Sequence, residues 1–491
     1  AHHAGAHHRH VIARRHVRTA AFRAPGALLL PIKRRPPSSS RCMIGLDHVK
    51  VTRARHVIAS LRLRLTRAHP VAFVLFAGLA GFCAYFSMYA FRKPFTAATF
   101  DNVAGWDFVL DYKIALVLAQ VAGYALSKLA GVKVISEMRP ERRAVAIVAL
   151  IGASWIALVL FAVIPAPWNV AALFLNGLPL GLIWGLVFGF MEGRRTSEVL
   201  GAILCASFIL SSGVVKSVGK ALMESADISP FWMPAATGVV FMPLLAISVL
   251  ALAALPPPSR ADEAERVARR PMMAEQRARF LAAHWPLLVL LVAAYVLLTA
   301  FRDLRDNFAA EIWRALGYGD AAAIFTASEG PVAVLSLLSM GVLIAVKNNG
   351  RALLFMHGVI MAGFALLGAS TLAYQQGLLS PIAWMIASGA GLYLAYTPFN
   401  AMLFDRMIAY TGTVGTAGFL IYVADASGYL GSVVLLLIRN FAAIDLPWLP
   451  FFVNAAYGTS LAGLALVACA TALFLRDRAA APAPPLPQPT G

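Results

Sequence analysis

Apolar residues in this chain form long runs that short polar segments separate. From Pro70 onward the runs approach about 20 residues, which is the length that a helix needs to cross a bilayer. The pattern predicts twelve membrane-spanning helices, here called spans 1 to 12, with six on each side of a polar link. The predicted spans are Val71–Thr99, Tyr112–Val134, Ala144–Ile164, Val170–Met191, Val199–Leu222, Met233–Leu255, Trp285–Phe308, Ala322–Val346, Leu353–Ala373, Ile382–Leu403, Val414–Leu437 and Phe451–Phe474.

Polar segments divide the chain into five predicted parts. Residues 1–66 are rich in Arg, His and Ser and nearly free of acids, so they are predicted to be disordered. Because the chain does not begin with Met, the residues before Met43 are interpreted as a tag remnant or an over-extended gene start; a transit peptide would share this composition. The other predicted parts are a first six-helix bundle (67–255), a partly helical link (256–284), a second six-helix bundle (285–478) and a Pro/Ala-rich tail (479–491).

Composition agrees with a polytopic membrane protein. Hydrophobic residues make up 60% of the chain and charged residues 13%, with a mean hydropathy of +0.73, more apolar surface than a soluble core can bury. The net charge is +19, but most of it precedes Pro70, where no recognised nucleic-acid module accompanies it, so nucleic-acid binding is not predicted. The four cysteines have neither disulfide nor metal spacing.

Basic residues between the predicted spans fall on one side of the membrane. Lys133 lies at the end of span 2 and three arginines follow it, and Arg194 and Arg195 follow span 4, whereas the alternate loops hold almost no Lys or Arg. Because cytoplasmic loops carry an excess of Lys and Arg, both termini and the link are predicted to be cytoplasmic. The expected location is the inner, or plasma, membrane of a bacterium.

One short stretch occurs twice, half a chain apart, and each copy ends in an arginine. Residues 84–92 (AYFSMYAFR) and 294–302 (AYVLLTAFR) match at five of nine positions, which indicates two related halves. An arginine in or at the rim of a membrane helix is costly, so Arg92 and Arg302 are predicted to bind a substrate anion from both halves. The alternative is that Arg92 lies toward the outer end of span 1 and snorkels to the headgroups. The apolar segment 95–100 instead predicts a helix that continues past Arg92.

Further polar residues follow helical spacing near these arginines. Tyr85 shares a face with Arg92, Tyr295 shares one with Arg302, and Lys128 lies well inside span 2. Guanidinium groups bind phosphate or carboxylate in a bidentate manner, and tyrosine hydroxyls add neutral hydrogen bonds. The residues predicted to bind substrate are Arg92, Arg302, Lys128, Tyr85, Tyr124, Tyr295 and Lys216.

Single carboxylates occur in two apolar spans, Glu329 in span 8 and Asp425 in span 11. Since buried carboxylates can take up protons, both are predicted coupling sites, with structural ion pairs as the open alternative. Asp303, Arg305 and Asp306 are predicted to pair among themselves and with the following loop. The candidate cations outnumber the candidate acids, so the cavity is predicted to attract an anion.

Two six-helix halves joined by a cytoplasmic link are the layout of the major facilitator superfamily, which this chain resembles over about residues 70–478. The resemblance implies an all-α membrane fold of twelve transmembrane helices in two pseudo-symmetric six-helix bundles. It also implies a substrate site between the bundles, near the midplane of the membrane.

Within that superfamily the motifs resemble those of the organophosphate:inorganic phosphate antiporters. Arg92-Lys93 is similar to the Arg-Lys pair that ends their span 1 signature, and residues 123–128 (GYALSK) are similar to their Tyr-Gly-x-Ser-Lys segment. The resemblance implies that Arg92 and Arg302 grip a phosphate and that Lys128 assists. The chain departs by lacking a histidine in span 5, and it is also similar to uncharacterised bacterial facilitator-like proteins of unknown function.

The sequence therefore predicts a secondary active transporter that moves a small organic anion, most often a phosphorylated one, by alternating access. The resemblance to the superfamily implies that it works as a monomer. It contains no P-loop, nucleophile elbow, zinc signature or dinucleotide fingerprint, so no enzyme activity, cofactor or metal is predicted. Two alternatives stay open: a proton-coupled transporter of a carboxylate or neutral solute, and a transporter-like membrane sensor with a cytoplasmic partner.

Overall fold

A computed structural model describes residues 58–136, 138–259, 262, 274–411, 418–442 and 446–480, and within those residues the regular structure is helical. The helices are α1 (Pro70–Tyr89), α2 (Tyr112–Ser136), α3 (Pro140–Val163), α4 (Asn169–Leu180), α5 (Ile183–Phe188), α6 (Ser197–Ser225), α7 (Met233–Ala253), α8 (Ala274–Asn307), α9 (Ala309–Ala315), α10 (Ile324–Ala345), α11 (Asn349–Gln375), α12 (Pro381–Ala401), α13 (Leu403–Thr411), α14 (Gly418–Phe441) and α15 (Trp448–Ala480), with a 3₁₀ helix over Pro94–Ala97.

Nine segments of the described chain are long and apolar enough to cross a membrane, and α4 and α5 together form one of them. Their outer faces expose large apolar side chains, among them Leu75, Leu79 and Val145, as helices in contact with lipid do. The other three predicted spans correspond to α2, α12 and α14, whose polar side chains include Lys128, Tyr396 and Asp425. The all-α membrane fold with twelve spans in two six-helix bundles is thus confirmed.

Span 1 ends earlier than predicted. Helix α1 stops at Tyr89, a turn follows, and the 3₁₀ helix begins at Pro94. Proline has no N–H to donate and disfavours α geometry in the residue before it, so the α-helix cannot continue through Lys93. The prediction of a helix that continues past Arg92 was therefore wrong, and Arg92 lies in the turn.

The predicted disordered segment was also too long at its C-terminal end. Residues 58–66 are helical, while residues 1–57 lie outside the described part of the chain. Leu65 is buried, and Arg62 Nη2 donates to the carbonyl of Ala253 at the end of α7 at 2.7 Å. Helical apolar spacing within this basic segment lets it pack against the bundle. Most of the helix predicted in the link lies outside the described residues.

The two bundles meet along a few helix pairs. Helices α1, α6 and α7 pack together in the first bundle, and in the second bundle α8 packs against both α14 and α15. Between the bundles, α6 packs against α10, and α2 packs against α14. The end of each bundle that adjoins the link is called the link end, and the opposite end, where α1 and α8 finish, is called the far end.

Two glycines allow α2 and α4 to approach closely, since a Cβ on Gly123 would clash with the carbonyl of Phe174 and one on Gly177 with that of Gln120. Gly177→Ala is therefore expected to destabilise the protein by about 1–3 kcal/mol through overpacking. The thermal midpoint of the detergent-purified chain measures this. Gly152→Ala is the control, because a Cβ there meets nothing within 4 Å; equal midpoints for both variants would contradict the close-approach account.

Candidate functional site

The turn that carries Arg92 is held in place by two buried amide side chains. Because α1 has ended, the carbonyls of Phe91 and Arg92 have no helical N–H partner. Asn176 Nδ2 of α4 donates to the Phe91 carbonyl at 2.9 Å, and Gln120 Nε2 of α2 donates to the Arg92 carbonyl at 2.9 Å. The amides also bond to each other at 2.7 Å, so α2 and α4 together fix the backbone of this turn.

The side chain of Arg92 is buried and has no ionic partner. The residue is 7% exposed, and its guanidinium carbon lies 3.9 Å from the centroid of the Tyr124 ring. Among the described residues, no carboxylate forms a salt bridge with it, and its Nε has no hydrogen-bond acceptor. Arg92 does not extend to the lipid headgroups, so the snorkelling alternative is wrong.

A cation in this position is costly. A buried charge without a counter-charge costs several kcal/mol, and the cation–π contact with Tyr124 offsets only about 1–2 kcal/mol of that. Buried polar groups in native proteins nearly always have partners, and a charged group within membrane helices is a functional-site candidate. Arg92 is therefore a candidate site for binding an anion.

Tyrosines surround this cation. Tyr89 of α1 lies 5.8 Å from the guanidinium carbon, and Tyr85 contacts Tyr89 edge to face. Tyr124 also packs edge to face against Tyr429 of α14, with ring centroids 5.7 Å apart. The wall of the site thus comes from both bundles.

Lys128 and Asp425 form an ion pair between the bundles. Lys128 Nζ of α2 lies 2.5 Å from Asp425 Oδ2 of α14 and 5.3 Å from the centroid of Tyr124. Tyr295 of α8 donates from its hydroxyl to Asp425 Oδ1 at 2.6 Å. Both charges of the pair are partly exposed, 21% for Lys128 and 13% for Asp425, so solvent reaches this level of the interface.

Arg302 differs from Arg92 because its charge is already compensated. Arg302 Nη2 lies 2.7 Å from Asp303 Oδ1, and its Nη1 donates to the hydroxyl of Tyr396 in α12. Asp303 also accepts a hydrogen bond from Ser432 Oγ at 2.8 Å. The two arginines that the repeat places at equivalent positions therefore have different environments.

Lys216 lies in a separate group of charges nearer the far end. Its Nζ is 2.5 Å from Asp306 Oδ1, and Lys93 Nζ is 2.5 Å from Asp306 Oδ2. Lys93 also donates to Asn307 Oδ1 at 2.7 Å. One carboxylate of the second bundle thus holds two lysines of the first bundle.

Glu329 is paired within the second bundle, where its Oε1 accepts a hydrogen bond from Arg305 Nη1. The other carboxylate oxygen of Glu329 has no partner in the described part of the chain. The predicted pairing of Asp303, Arg305 and Asp306 with one another was wrong, because each of them has its ionic partner elsewhere. Asp303 pairs with Arg302, and Arg305 pairs with Glu329. Asp306 pairs with Lys93 and Lys216.

Further cross-bundle ion pairs lie at the far end. Lys113 Nζ lies 2.7 Å from Glu311 Oε1, and Arg314 Nη1 lies 2.8 Å from Asp101 Oδ2. Partial burial acts to raise the pKa of Asp101, but hydrogen bonds from Arg314 and Thr99 outweigh it and lower that pKa below its ordinary value. These contacts join the two bundles at the far end.

Positive charge exceeds negative charge in this interface. The ion-pair network and Arg92 together contain seven cations and five carboxylates among the described residues. The surplus of two consists of Arg92 and one of the two lysines that share Asp306. The cations are Arg92, Lys93, Lys113, Lys128, Lys216, Arg302 and Arg305, and the carboxylates are Asp303, Asp306, Glu311, Glu329 and Asp425.

Six of the seven residues predicted to bind substrate lie in one connected cluster. Contacts lead from Arg92 through Tyr124, Lys128 and Asp425 to Tyr295, and from there through Tyr396 to Arg302. Tyr85 reaches the cluster through Tyr89. The sequence reasoning missed Tyr396. It lies one helical turn before Asn400, whose Oδ1 accepts a hydrogen bond from the Tyr295 hydroxyl at 3.2 Å, and the polar spacing of the two residues on span 10 could have indicated it.

Comparison with known sequences places the chain in one family. Residues 94–478 match the profile of DUF5690, described as a family of unknown function. No curated protein matches the chain in sequence.

Solved transporters share the architecture at low sequence identity. A D-xylose-proton symporter has a TM-score of 0.54 at 13% identity, covering 82% of this chain and 97% of that one. A bacterial homologue of the human drug peptide transporters PepT1 and PepT2 has a TM-score of 0.54 at 16% identity, covering 82% and 98%. A mutant of the peptide transporter POT in complex with sulfate has a TM-score of 0.53 at 16% identity, covering 82% and 95%. The fold is that of the major facilitator superfamily.

Proposed function

The chain belongs to DUF5690, a family of unknown function, and on that premise we propose that it is a secondary active transporter of a small organic anion, preferably a phosphorylated one. The likeness to solved transporters supports a secondary transporter in general, and the transported anion is our own inference. In this proposal the protein moves the anion by alternating access between the two bundles.

The observation that carries the proposal is the unpaired charge of Arg92. A buried guanidinium without an acceptor attracts an anion, and its planar N–H groups fit phosphate or carboxylate oxygens. The surplus of two positive charges in the interface favours a phosphate monoester over a neutral solute. Tyr85, Tyr124 and Tyr295 line the same cluster and supply hydroxyl groups and ring faces for the organic part.

The other predicted residues have secondary roles in this proposal. Lys128 lies close enough to the Tyr124 ring to contact the anion when its pair with Asp425 opens. Arg302 assists once Asp303 releases it. Asp425 and Glu329 are the coupling groups, because each is a single carboxylate that can exchange a proton or a cationic partner as the bundles move. Lys216 stabilises the far-end contact.

The remaining features of the proposal follow from sequence. The transporter is a monomer in the inner membrane of a bacterium, with both termini and the link in the cytoplasm, as the basic loops indicate. The helix bundles occupy residues 67–255 and 285–478. In this orientation the far end is the outer side of the membrane.

Exchange of phosphate tests the function. Labelled phosphate is supplied to liposomes that contain the purified chain and are preloaded with phosphate, and uptake is compared with that of empty liposomes. A transporter of this kind accumulates label only by exchange, and unlabelled organophosphates compete more strongly than carboxylates or neutral sugars. Uptake equal to that of protein-free liposomes would contradict the phosphate proposal.

Removing the partner of Arg302 is expected to increase anion affinity. Asp303→Asn leaves Arg302 with its hydrogen bonds but without a counter-charge, so the surplus charge rises by one. Charge pairs at close range contribute about 1.5 kcal/mol or more, which predicts a phosphate concentration for half-maximal exchange lowered by about tenfold or more. Asp320→Asn, at an exposed position, is the control and should leave that concentration unchanged. A higher half-maximal concentration in Asp303→Asn would count against the charge-surplus account.

A second candidate function is proton-coupled transport of a carboxylate or neutral solute. It is favoured by the Lys128–Asp425 pair, which joins the bundles, is partly exposed and contains a carboxylate that a proton can neutralise. Under this candidate a pH gradient drives uptake without any internal counter-anion. Uptake of the labelled solute into liposomes that contain no phosphate, from an external buffer more acidic than the interior, would favour this candidate over exchange.

A further inference from the structure

The cluster around Arg92 already holds one ammonium group, that of Lys128. Its Nζ lies 2.5 Å from Asp425 Oδ2. The centroids of the Tyr124 and Tyr429 rings lie 5.3 and 5.4 Å from the same nitrogen. Aromatic rings around an ammonium group are a means by which proteins bind cationic ligands, and the carboxylate adds the counter-charge. We call Asp425 and these two tyrosines the ammonium cage.

Arg92 and the ammonium cage share one wall, the ring of Tyr124. The guanidinium carbon of Arg92 lies 3.9 Å from the centroid of that ring, and Lys128 Nζ lies 5.3 Å from it. The two cations are therefore no farther apart than the sum of these two distances. A small molecule can place one end at Arg92 and its other end in the cage.

Ligand atoms can reach both ends of this arrangement. Among the nitrogens of the Arg92 guanidinium, only Nε is completely enclosed without an acceptor, so Nη1 and Nη2 are the accessible donors. The side chain of Lys128 is 21% exposed and that of Asp425 is 13% exposed. Tyr295 donates to Asp425 Oδ1 at 2.6 Å and holds the carboxylate in place independently of Lys128.

The net charge of the cluster does not match a simple phosphate ester. Three cations face two carboxylates, so the cluster carries +1. These charged residues are Arg92, Lys128, Arg302, Asp303 and Asp425. A phosphate monoester carries a charge of about −1.5 to −2 at neutral pH, which exceeds what the cluster can neutralise. An ammonium group on the same ligand would restore the balance.

Binding of a phosphate at Arg92 frees the cage for such a group. The ammonium of Lys128 is a compact charge on a flexible stem, so it can turn from Asp425 toward a phosphate on the shared Tyr124 ring. Asp425 would then be a largely buried carboxylate without a counter-charge, which is costly. A cation on the ligand removes that cost by taking the place of Lys128.

We propose that the transported anion is a phosphoamine, a short phosphate monoester that also carries an ammonium group. Arg92 and Lys128 bind the phosphate, and the ammonium cage binds the amine. This inference rests on the function proposed above, because it specifies the substrate class of the same site.

Displacement of radiolabelled phosphate from the full chain in lipid nanodiscs tests the inference. The competitors are O-phosphoethanolamine and propyl phosphate, which differ in having an ammonium or a methyl group at the same position. We expect half-displacement by the amine at a concentration about tenfold lower, the ratio that a close charge pair provides.

Two outcomes would count against the inference, and they differ in what they leave standing. If the chain binds phosphate but propyl phosphate competes equally or better, the phosphoamine inference is overturned and anion transport is retained. If the chain binds no phosphate, both the proposed function and this inference are overturned.

Variants of the ammonium cage locate the amine. The double variant Lys128→Met with Asp425→Asn leaves no charge unpaired and is expected to abolish the preference for the amine. Tyr429→Leu is expected to reduce the preference by about fivefold, whereas Tyr429→Phe keeps the ring and should retain it. Asp320→Asn, at an exposed position, is the control. An unchanged preference in the double variant would place the amine elsewhere and contradict the proposal.

Lys128→Met alone empties the cage and allows a rescue experiment. The ammonium of O-phosphoethanolamine can then pair with Asp425, so this compound is expected to raise the thermal midpoint of the variant by more than propyl phosphate does at the same concentration. Equal midpoints with the two compounds would refute the cage as the ammonium site.

Discussion

Arg92→Gln is expected to reduce phosphate exchange by at least about a hundredfold. The substitution removes the guanidinium that would pair with the bound phosphate, and the loss of one partner of a buried charge pair costs about 3 kcal/mol or more. The same substitution is expected to leave the thermal midpoint of the empty protein unchanged or to raise it. The reason is that Arg92 has no counter-charge in the described structure, so its removal relieves an uncompensated buried cation.

The exchange rate in preloaded liposomes and the unfolding midpoint in detergent measure the two effects on one preparation. Arg351→Gln, at an exposed position at the start of α11, is the matched control and should change neither quantity. If Arg92→Gln lost exchange and its thermal midpoint also fell by several degrees, Arg92 would have a structural role instead.

The second large effect concerns the pair that joins α2 and α14. Either Lys128→Met or Asp425→Asn leaves one charge of the pair without its partner, which costs about 2–4 kcal/mol at a site that solvent partly screens. The single variants are therefore expected to unfold at lower temperature than the intact chain. The double variant is expected to recover most of that stability, because neither charge then remains.

A double-mutant cycle on the thermal midpoints measures this coupling. The exposed pair of Arg476 and Asp477 provides the control cycle, where the coupling is expected to stay below about 1 kcal/mol. Additive effects of Lys128→Met and Asp425→Asn would mean that the ion pair does not hold the bundles together.

Most of the fold was visible in the sequence because the bilayer imposes a simple constraint. Each crossing needs about 20 apolar residues, and that length, repeated on both sides of a polar link, predicted the twelve spans. The repeated AYxxxxAFR stretch further predicted that Arg92 and Arg302 occupy equivalent places. The early end of α1 was also readable, since Pro94 forbids a continuous helix, but the apolar run up to Phe100 obscured it.

The pairing of charges could not be predicted in the same way. Lys93 and Asp306, or Lys128 and Asp425, are separated by hundreds of residues, and only the packing of the bundles decides which carboxylate each lysine meets. For that reason Arg92 and Arg302 were interpreted as equal anchors, although Asp303 neutralises only Arg302. The difference between the two arginines depends on three-dimensional neighbours that periodicity does not reveal.

The measurement that tests the account most directly is calorimetric titration of inorganic phosphate into the purified full chain in nanodiscs. The account predicts saturable binding of one phosphate per chain, lost in Arg92→Gln and retained in Arg351→Gln. Equal phosphate binding by the intact chain and Arg92→Gln would contradict an anion site at Arg92, as would no binding by an intact chain that is folded.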